Sequence, residues 1–157
     1  MTVSGIRVLS LLVVAIAVLA PVGCGTGGKA ATPTSGTENL QTQEVPVEGG
    51  GSYTDVNASG LANMLQNKDF LLINVHIPYE GEIEQTDLFI PYNEIEQNLD
   101  KLPPDRSTKL VLYCRSGGMG AIAARTLVKL GYTDVWNLDG GMIAWEQGGY
   151  PLIHKER

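Results

Sequence analysis

Short apolar runs recur along residues 53–157, separated by segments in which apolar residues follow a helical spacing. An unbroken apolar run of about four to eight residues is typical of a strand covered on both faces of a parallel sheet. The clearest run is 70–75, FLLINV, and a loop containing Pro78 and Gly81 follows it. We predict a short edge strand at 53–56, and further extended segments at 70–75, 88–90, 109–113, 134–136 and 150–153.

Helices are predicted where apolar side chains return to one face every third or fourth residue. Asn57 or Ser59 is suited to cap a helix that runs through residue 67. The segment 121–130 has the same spacing, and Gly131 follows it where glycine commonly ends a helix. Shorter helices are predicted at 92–99 and 142–147. Strands that alternate with helices predict one parallel α/β domain, at residues 53–157.

The first 23 residues have the pattern of a signal peptide. Arg7 precedes an apolar segment of 13 residues at 8–20, which only Ser10 interrupts and which is shorter than the roughly 20 residues that span a bilayer. Cys24 follows the small residue Gly23, and this arrangement resembles a bacterial lipoprotein cleavage site, although Pro21 stands where leucine is usual. The resemblance implies an exported protein anchored to the bacterial cell membrane by lipid on Cys24, with its domain outside the cytoplasm. An ordinary signal peptide or an uncleaved anchor is the alternative.

Residues 24–52 are predicted to hold the lipidated cysteine and a flexible linker. More than half of the residues at 25–52 are Gly, Ser, Thr or Pro, and none is aromatic. Such a composition buries too little apolar surface to offset the entropy of ordering the chain.

Composition and charge exclude some classes of function. The formal charge is −6 and no long basic tract is present, so a nucleic-acid partner is not expected. Cys24 and Cys114 lie in different contexts, and a disulfide between them is not expected. The acidic residues near position 82 lack Cys or His partners at ligand spacing, which favours a solvated face over a metal site: Glu80, Glu82 and Glu84.

The candidate chemistry lies in the loop CRSGGMG at 114–120, between a predicted strand and a predicted helix. Glycines allow a tight turn that directs successive N–H groups to one place, and the following helix adds the positive end of its dipole. A cysteine that faces such a nest is stabilised as the thiolate, its nucleophilic form. We therefore predict that Cys114 is the catalytic nucleophile, and that the following residues bind substrate: Arg115, Ser116, Gly117, Gly118, Met119 and Gly120.

The loop CRSGG resembles the active-site loop of single-domain rhodaneses, a family of sulfurtransferases. The segment 135–145, VWNLDGGMIAW, resembles the closing signature of that family, and 71–76, LLINVH, is similar to its second strand. The resemblance covers about 53–151. It implies a three-layer α/β/α fold around a central, mostly parallel, five-stranded sheet.

The resemblance also implies that Cys114 takes sulfane sulfur from a small sulfur-containing anion or a protein persulfide and passes it to a thiol or cyanide, without a metal or organic cofactor. Four positions depart from the family pattern. Met119 replaces a frequent arginine, Asn74 and His76 stand where Asp and Arg are common, and Glu82 replaces a frequent histidine. A missing loop cation disfavours dianionic thiosulfate and favours a less charged polysulfide.

Several readings stay open at the level of sequence. Arg115 either binds the donor or lines the rim, and Ser116 bonds either the sulfur or the loop backbone. His76 is more readily a satisfied structural histidine than a base. Cysteine phosphatases and arsenate reductases share a thiolate loop but need arginine where this chain has Gly120. A non-enzymatic sulfur carrier or interaction module at the cell envelope is the other alternative.

Overall fold

A computed structural model describes residues 41–156 of the chain. The predicted signal peptide, Cys24 and the first part of the predicted linker lie outside these residues. No helix within the described range is long and apolar enough to cross a membrane.

Eight strands and three α-helices make up the described part of the chain. The strands are β1 Thr42–Pro46, β2 Ser52–Val56, β3 Leu71–Asn74, β4 Glu82–Ile83, β5 Leu88–Phe89, β6 Leu110–Tyr113, β7 Val135–Leu138 and β8 Leu152–Ile153. The helices are α1 Ala58–Leu65, α2 Gly118–Lys129 and α3 Gly141–Gln147, with a kinked 3-10 helix at Glu96–Lys101.

Six strands form the main sheet, in the order β1-β2-β7-β6-β3-β5. Only the β1–β2 pair is antiparallel in it, so the predicted mostly parallel α/β fold is confirmed. The remaining two strands, β4 and β8, form a separate antiparallel ribbon. The prediction of five strands was one too few, because the outermost strand lies in the segment predicted to be linker.

Strand β1 corrects the linker boundary at residue 52. It pairs with β2 from Thr42 opposite Val56 to Pro46 opposite Ser52, and Val47 just beyond it is buried in the core. The glycines of 49–51 are not linker residues, since they form the hairpin turn with φ angles of 97°, 112° and 79°. Those angles favour glycine. Strand β2 is therefore the second strand and not the predicted edge strand; the edge contains a proline, which edges tolerate.

Two apolar clusters cover the two faces of the sheet. One contains Ala123, Ala124 and Leu127 of α2 together with residues near the 3-10 helix. The other contains Leu61 of α1 and Met142 and Trp145 of α3. The sheet is thus the middle of three layers, and the parallel strands β3, β6 and β7 all end at the same edge. Ligands of open α/β sheets bind outside that edge.

The helices agree with the prediction at the start of α1 and differ from it in two other places. Asn57 caps α1 as predicted, because its Oδ1 accepts a hydrogen bond from the Gly60 N–H at 2.8 Å. The predicted helix at 92–99 is replaced by the 3-10 helix at Glu96–Lys101. Helix α2 begins at Gly118, three residues before the predicted start, and Gly131 with φ 91° ends its last turn.

Candidate functional site

Cys114 follows β6, between the neighbouring strands β7 and β3 of the main sheet. It is a free cysteine with 1% of its surface exposed. The thiol therefore lies at the carboxyl edge of the sheet, and it is enclosed by the loop that follows.

The Cys114 sulfur receives a backbone hydrogen bond from its own loop. The Gly117 N–H donates to Sγ at 3.1 Å, and Gly117 adopts a left-handed conformation with φ 90°. A backbone turn of this kind brings the N–H back towards the residue three positions earlier. The bond favours a negatively charged sulfur, because an N–H donor stabilises an anionic acceptor more than a neutral one.

The rest of the predicted nest is the first turn of a helix. Gly118, Met119 and Gly120 belong to α2 and not to an extended loop. The first N–H groups of a helix have no partner within it, and they carry the positive end of the helix dipole. The expected anion-binding character therefore comes from the helix start next to Cys114 and from Gly117.

Two backbone hydrogen bonds from the start of α3 hold the Cys114 loop in place. The Met142 N–H donates to the Cys114 carbonyl at 2.8 Å, and the Ile143 N–H donates to the Arg115 carbonyl at 3.0 Å. Gly141, with φ 57°, allows this approach, since a Cβ there would lie 2.2 Å from the Cys114 carbonyl oxygen. The Gly-Gly pair at the start of α3 thus positions the candidate nucleophile.

Arg115 is exposed at the rim of the site and pairs with Glu80, which was predicted to lie on a solvated face. Its Nη1 donates a hydrogen bond to Glu80 Oε2. Ser116 is exposed as well. Glu80 lies 35 residues before Arg115, and no local pattern of sequence relates two residues at that separation.

Asn74, which stands where the family often has Asp, forms neutral hydrogen bonds. Asn74 Nδ2 donates to the Gly81 carbonyl at 3.0 Å, and Asn74 Oδ1 accepts from the His76 N–H at 3.0 Å. His76 itself is 5% exposed, and within residues 41–156 neither ring nitrogen has a hydrogen-bond partner. The described protein groups therefore do not supply the hydrogen bonds that were expected for a structural histidine. The carboxylate of Glu80 lies beside the ring, with its Oε2 3.7 Å from Nε2.

Glu82 is not on a solvated face, which corrects the prediction for that residue. Its side chain is completely buried and forms an ion pair with Lys155 near the C-terminus. A carboxylate can be buried when a cation compensates it. The Lys155 N–H also donates to the Tyr79 hydroxyl at 3.0 Å, so the segment that leads into β4 is held to the residues that follow β8.

Helix α2 contains both Met119 and Arg125. Arg125 lies over the ring of Tyr53, with 5.4 Å from its guanidinium carbon to the ring centre. Met119 is partly buried against the core. Across the described part of the chain, His, Cys, Asp and Glu form no group of three or more that could hold a metal ion. The site that the structure brings together is a cysteine thiol, backbone donors and a paired rim arginine.

The described fold and loop are similar to those of known rhodanese-like proteins. The family profile "Rhodanese-like domain" matches residues 58–148. A sulfurtransferase of Allochromatium vinosum is 34% identical over 106 residues, which are 65% of this chain and 96% of that protein. Among solved structures, a rhodanese-related protein of Thermoplasma volcanium aligns with a TM-score of 0.56 and 26% identity, over 64% of this chain and 98% of that one. A rhodanese-like domain protein of Staphylococcus aureus aligns with a TM-score of 0.54 and 27% identity, over 64% of this chain and 98% of that one.

Proposed function

Because the chain belongs to the rhodanese-like sulfurtransferase family, we propose that it carries sulfane sulfur as a persulfide on Cys114 and passes that sulfur to a thiol or another nucleophile. The observation that carries the proposal is the hydrogen bond from the Gly117 N–H to Cys114 Sγ, at the start of α2. It gives a buried thiol a donor that favours the thiolate and a persulfide anion.

The first step is attack of the Cys114 thiolate on the outer sulfur of a donor such as thiosulfate or a polysulfide. A sulfur–sulfur bond forms to Cys114, and the sulfur–sulfur bond of the donor breaks. The bonding electron pair leaves with sulfite, or with the shortened polysulfide. The negative charge then lies on the outer sulfur of the persulfide, near the first turn of α2, where backbone N–H groups stabilise it.

The second step returns the enzyme to its starting state. An acceptor thiolate attacks the outer sulfur, a new sulfur–sulfur bond forms on the acceptor, and the Cys114–sulfur bond breaks with its electrons returning to the Cys114 thiolate. No net oxidation occurs and no proton has to move at the transferred sulfur. Neither step requires a cofactor or a general base, and His76 has no chemical role in either step.

Mass spectrometry of the purified protein after incubation with thiosulfate or polysulfide tests the proposal. We expect the mass of one sulfur atom on the peptide that contains Cys114, and its loss on addition of an acceptor thiol. Cys114→Ser is the control, and sulfur mass on that variant would contradict the proposal. A protein that gains sulfur but shows no steady-state transfer to thiols would instead be a sulfur carrier or an interaction module.

We also propose that the protein is exported and tethered to the cell membrane by lipid on Cys24. The support is the apolar segment at 8–20, which a small residue and Cys24 follow. Fatty-acid labelling of cells tests this. Label is expected on the wild type and on Cys114→Ser and should be lost in Cys24→Ala; a labelled Cys24→Ala protein would show that Cys24 is not the lipid site.

A further inference from the structure

The carboxylate of Glu80 lies close to two side chains that can donate a hydrogen bond to it, Arg115 and His76. Its Oε2 accepts a hydrogen bond from Arg115 Nη1, and the same oxygen lies 3.7 Å from His76 Nε2. Glu80 and Arg115 are exposed at the rim, whereas His76 is buried behind them. One oxygen atom therefore lies between an exposed cation next to Cys114 and a buried imidazole.

The buried imidazole of His76 makes no hydrogen bond to the described residues. Within the described residues neither of its ring nitrogens has a partner, and leaving a buried polar atom unpaired is unfavourable. The distance of 3.7 Å exceeds a normal hydrogen bond by less than about 1 Å. A small movement of the Glu80 carboxylate would bring it to His76, and that movement would release Arg115.

The pair with Glu80 also restrains what Arg115 can do. An arginine whose charge is balanced by a carboxylate attracts an anion less than a free one, and the carboxylate itself repels the anion. A donor with two negative charges must take Arg115 from Glu80 before it can use that cation. A donor with less charge depends less on Arg115.

We propose that Glu80 is a specificity-determining residue that exchanges partners: it holds Arg115 in the free protein and moves to His76 when a sulfur oxyanion takes Arg115. The inference deepens the proposed sulfurtransferase function and rests on it, because thiosulfate, a sulfur oxyanion, is one of the donors of that reaction. Glu80 thereby discriminates against dianionic donors, and His76 limits the discrimination by receiving the displaced carboxylate.

Thiosulfate binding to a protein that cannot react tests the exchange separately from catalysis. In the full chain carrying Cys114→Ser, the thiosulfate dissociation constant is measured by calorimetry. Glu80→Gln should tighten thiosulfate binding by about three- to tenfold, since it removes a rim ion pair and a repelling charge. Glu84→Gln makes the same charge change at an exposed position of the same segment and should not alter binding. Equal or weaker binding in Glu80→Gln would overturn the proposal.

The role of His76 is tested with two substitutions in the same background. His76→Phe removes the receiving group and should weaken thiosulfate binding several-fold, while His76→Gln retains a donor for the carboxylate and should restore it. Nitrogen NMR supplies a readout that folding alone would not change: added thiosulfate should shift the His76 ring signals in Cys114→Ser but not in Cys114→Ser/Glu80→Ala. If thiosulfate leaves the His76 ring signals of Cys114→Ser unchanged, the proposed exchange is overturned.

The two proposals fail in different ways. If Cys114 in the wild type gains no sulfur from thiosulfate or polysulfide, the proposed function fails whatever the binding constants are. If the wild type transfers sulfur but Glu80→Gln leaves its preference between thiosulfate and polysulfide unchanged, the partner exchange fails and the sulfurtransferase function stands.

Discussion

The amide of Asn137 lies against Gly120, so closely that a Cβ at Gly120 would come within 2.0 Å of Asn137 Oδ1. Asn137, on β7, is 2% exposed, and its Nδ2 donates to Asp55 Oδ1 at 2.7 Å. The amide thus fills the space between β7 and the first turn of α2. Because that turn follows directly on the Cys114 loop, the contact fixes how closely the start of α2 approaches β7 next to the candidate nucleophile.

Replacing Gly120 by alanine should therefore displace either Asn137 or the start of α2. We expect a loss of unfolding free energy of about 1–3 kcal/mol, as for other overpacked sites, together with slower persulfide formation at Cys114. Urea denaturation and mass spectrometry measure the two effects. Gly118→Ala is the matched control for stability, because nothing lies within 4 Å of a Cβ there; equal stabilities of the two variants would contradict the packing argument.

The hydroxyl of Tyr113 joins β6 to the segment around β4. It accepts a hydrogen bond from the Ile83 N–H at 3.1 Å and lies 2.7 Å from Thr86 Oγ1, and burial raises the pKa of Tyr113 far above its ordinary value. Tyr113→Phe would leave the buried Ile83 N–H unpaired.

We expect Tyr113→Phe to lower the unfolding free energy by about 1–3 kcal/mol, the usual cost of an orphaned buried donor. Chemical denaturation measures it. The reference is Tyr132→Phe, which removes the hydroxyl that donates to the carbonyl of Pro103, a residue that is only half-buried. Should Tyr113→Phe prove no less stable than the wild type, the hydroxyl would have no structural role.

Asp55 gives a pH dependence of stability with a definite sign. Burial, with a smaller contribution from Asp139, raises the pKa of Asp55 above its ordinary value, although the hydrogen bond from Asn137 opposes the shift. The folded protein therefore binds this proton more tightly than the unfolded chain. The stability that the proton contributes is present below the ordinary pKa and is lost as the pH rises through the folded value.

Asp55→Asn mimics the protonated carboxyl and can still accept from Asn137. Its unfolding free energy relative to wild type should rise as the pH is raised from about 3 to about 6, in urea denaturation at several pH values. Asp105→Asn should show the opposite trend, because the hydrogen bonds from Ser107 lower the pKa of Asp105. A difference between Asp55→Asn and wild type that is constant with pH would refute the assignment.

Sequence alone predicted the parts of the site that are local in the chain. The strand, the glycine loop and the helix around Cys114 follow one another directly, and glycine has a recognisable role in such turns, although α2 begins three residues before the predicted start. The Gly-Gly pair at the start of α3 is equally local. The parallel sheet followed from apolar runs, since strands covered on both faces have no polar alternation.

The parts that sequence missed depend on partners distant in the chain. Thr42–Pro46 has mostly exposed side chains, so only its pairing with β2 distinguishes it from a linker. Glu82 was expected in solvent, but Lys155 makes its burial possible. Glu80 has no local signal at all, because its partner Arg115 lies on another loop. Composition and periodicity do not encode such contacts.

Met119 occupies the first turn of α2, where a loop cation would stand in many members of the family, and it packs partly against the core. Arg125 does not supply that cation, because its guanidinium stacks on Tyr53. Arg115, the remaining arginine near Cys114, is paired with Glu80. A dianionic donor therefore meets backbone N–H groups but no unpaired arginine among these described residues, whereas a polysulfide depends less on a cation.

Met119→Arg should consequently improve the use of thiosulfate. A charge-assisted hydrogen bond contributes on the order of 1.5–3 kcal/mol, which corresponds to about a 10- to 100-fold gain in kcat/KM at 1.4 kcal/mol per tenfold. Steady-state rates with thiosulfate and with polysulfide, each with the same acceptor thiol, measure the change, and Met119→Leu controls for the loss of methionine. The wild type should favour polysulfide. If it uses both donors equally well and Met119→Arg changes neither rate, the absence of a loop cation does not determine donor choice in this protein.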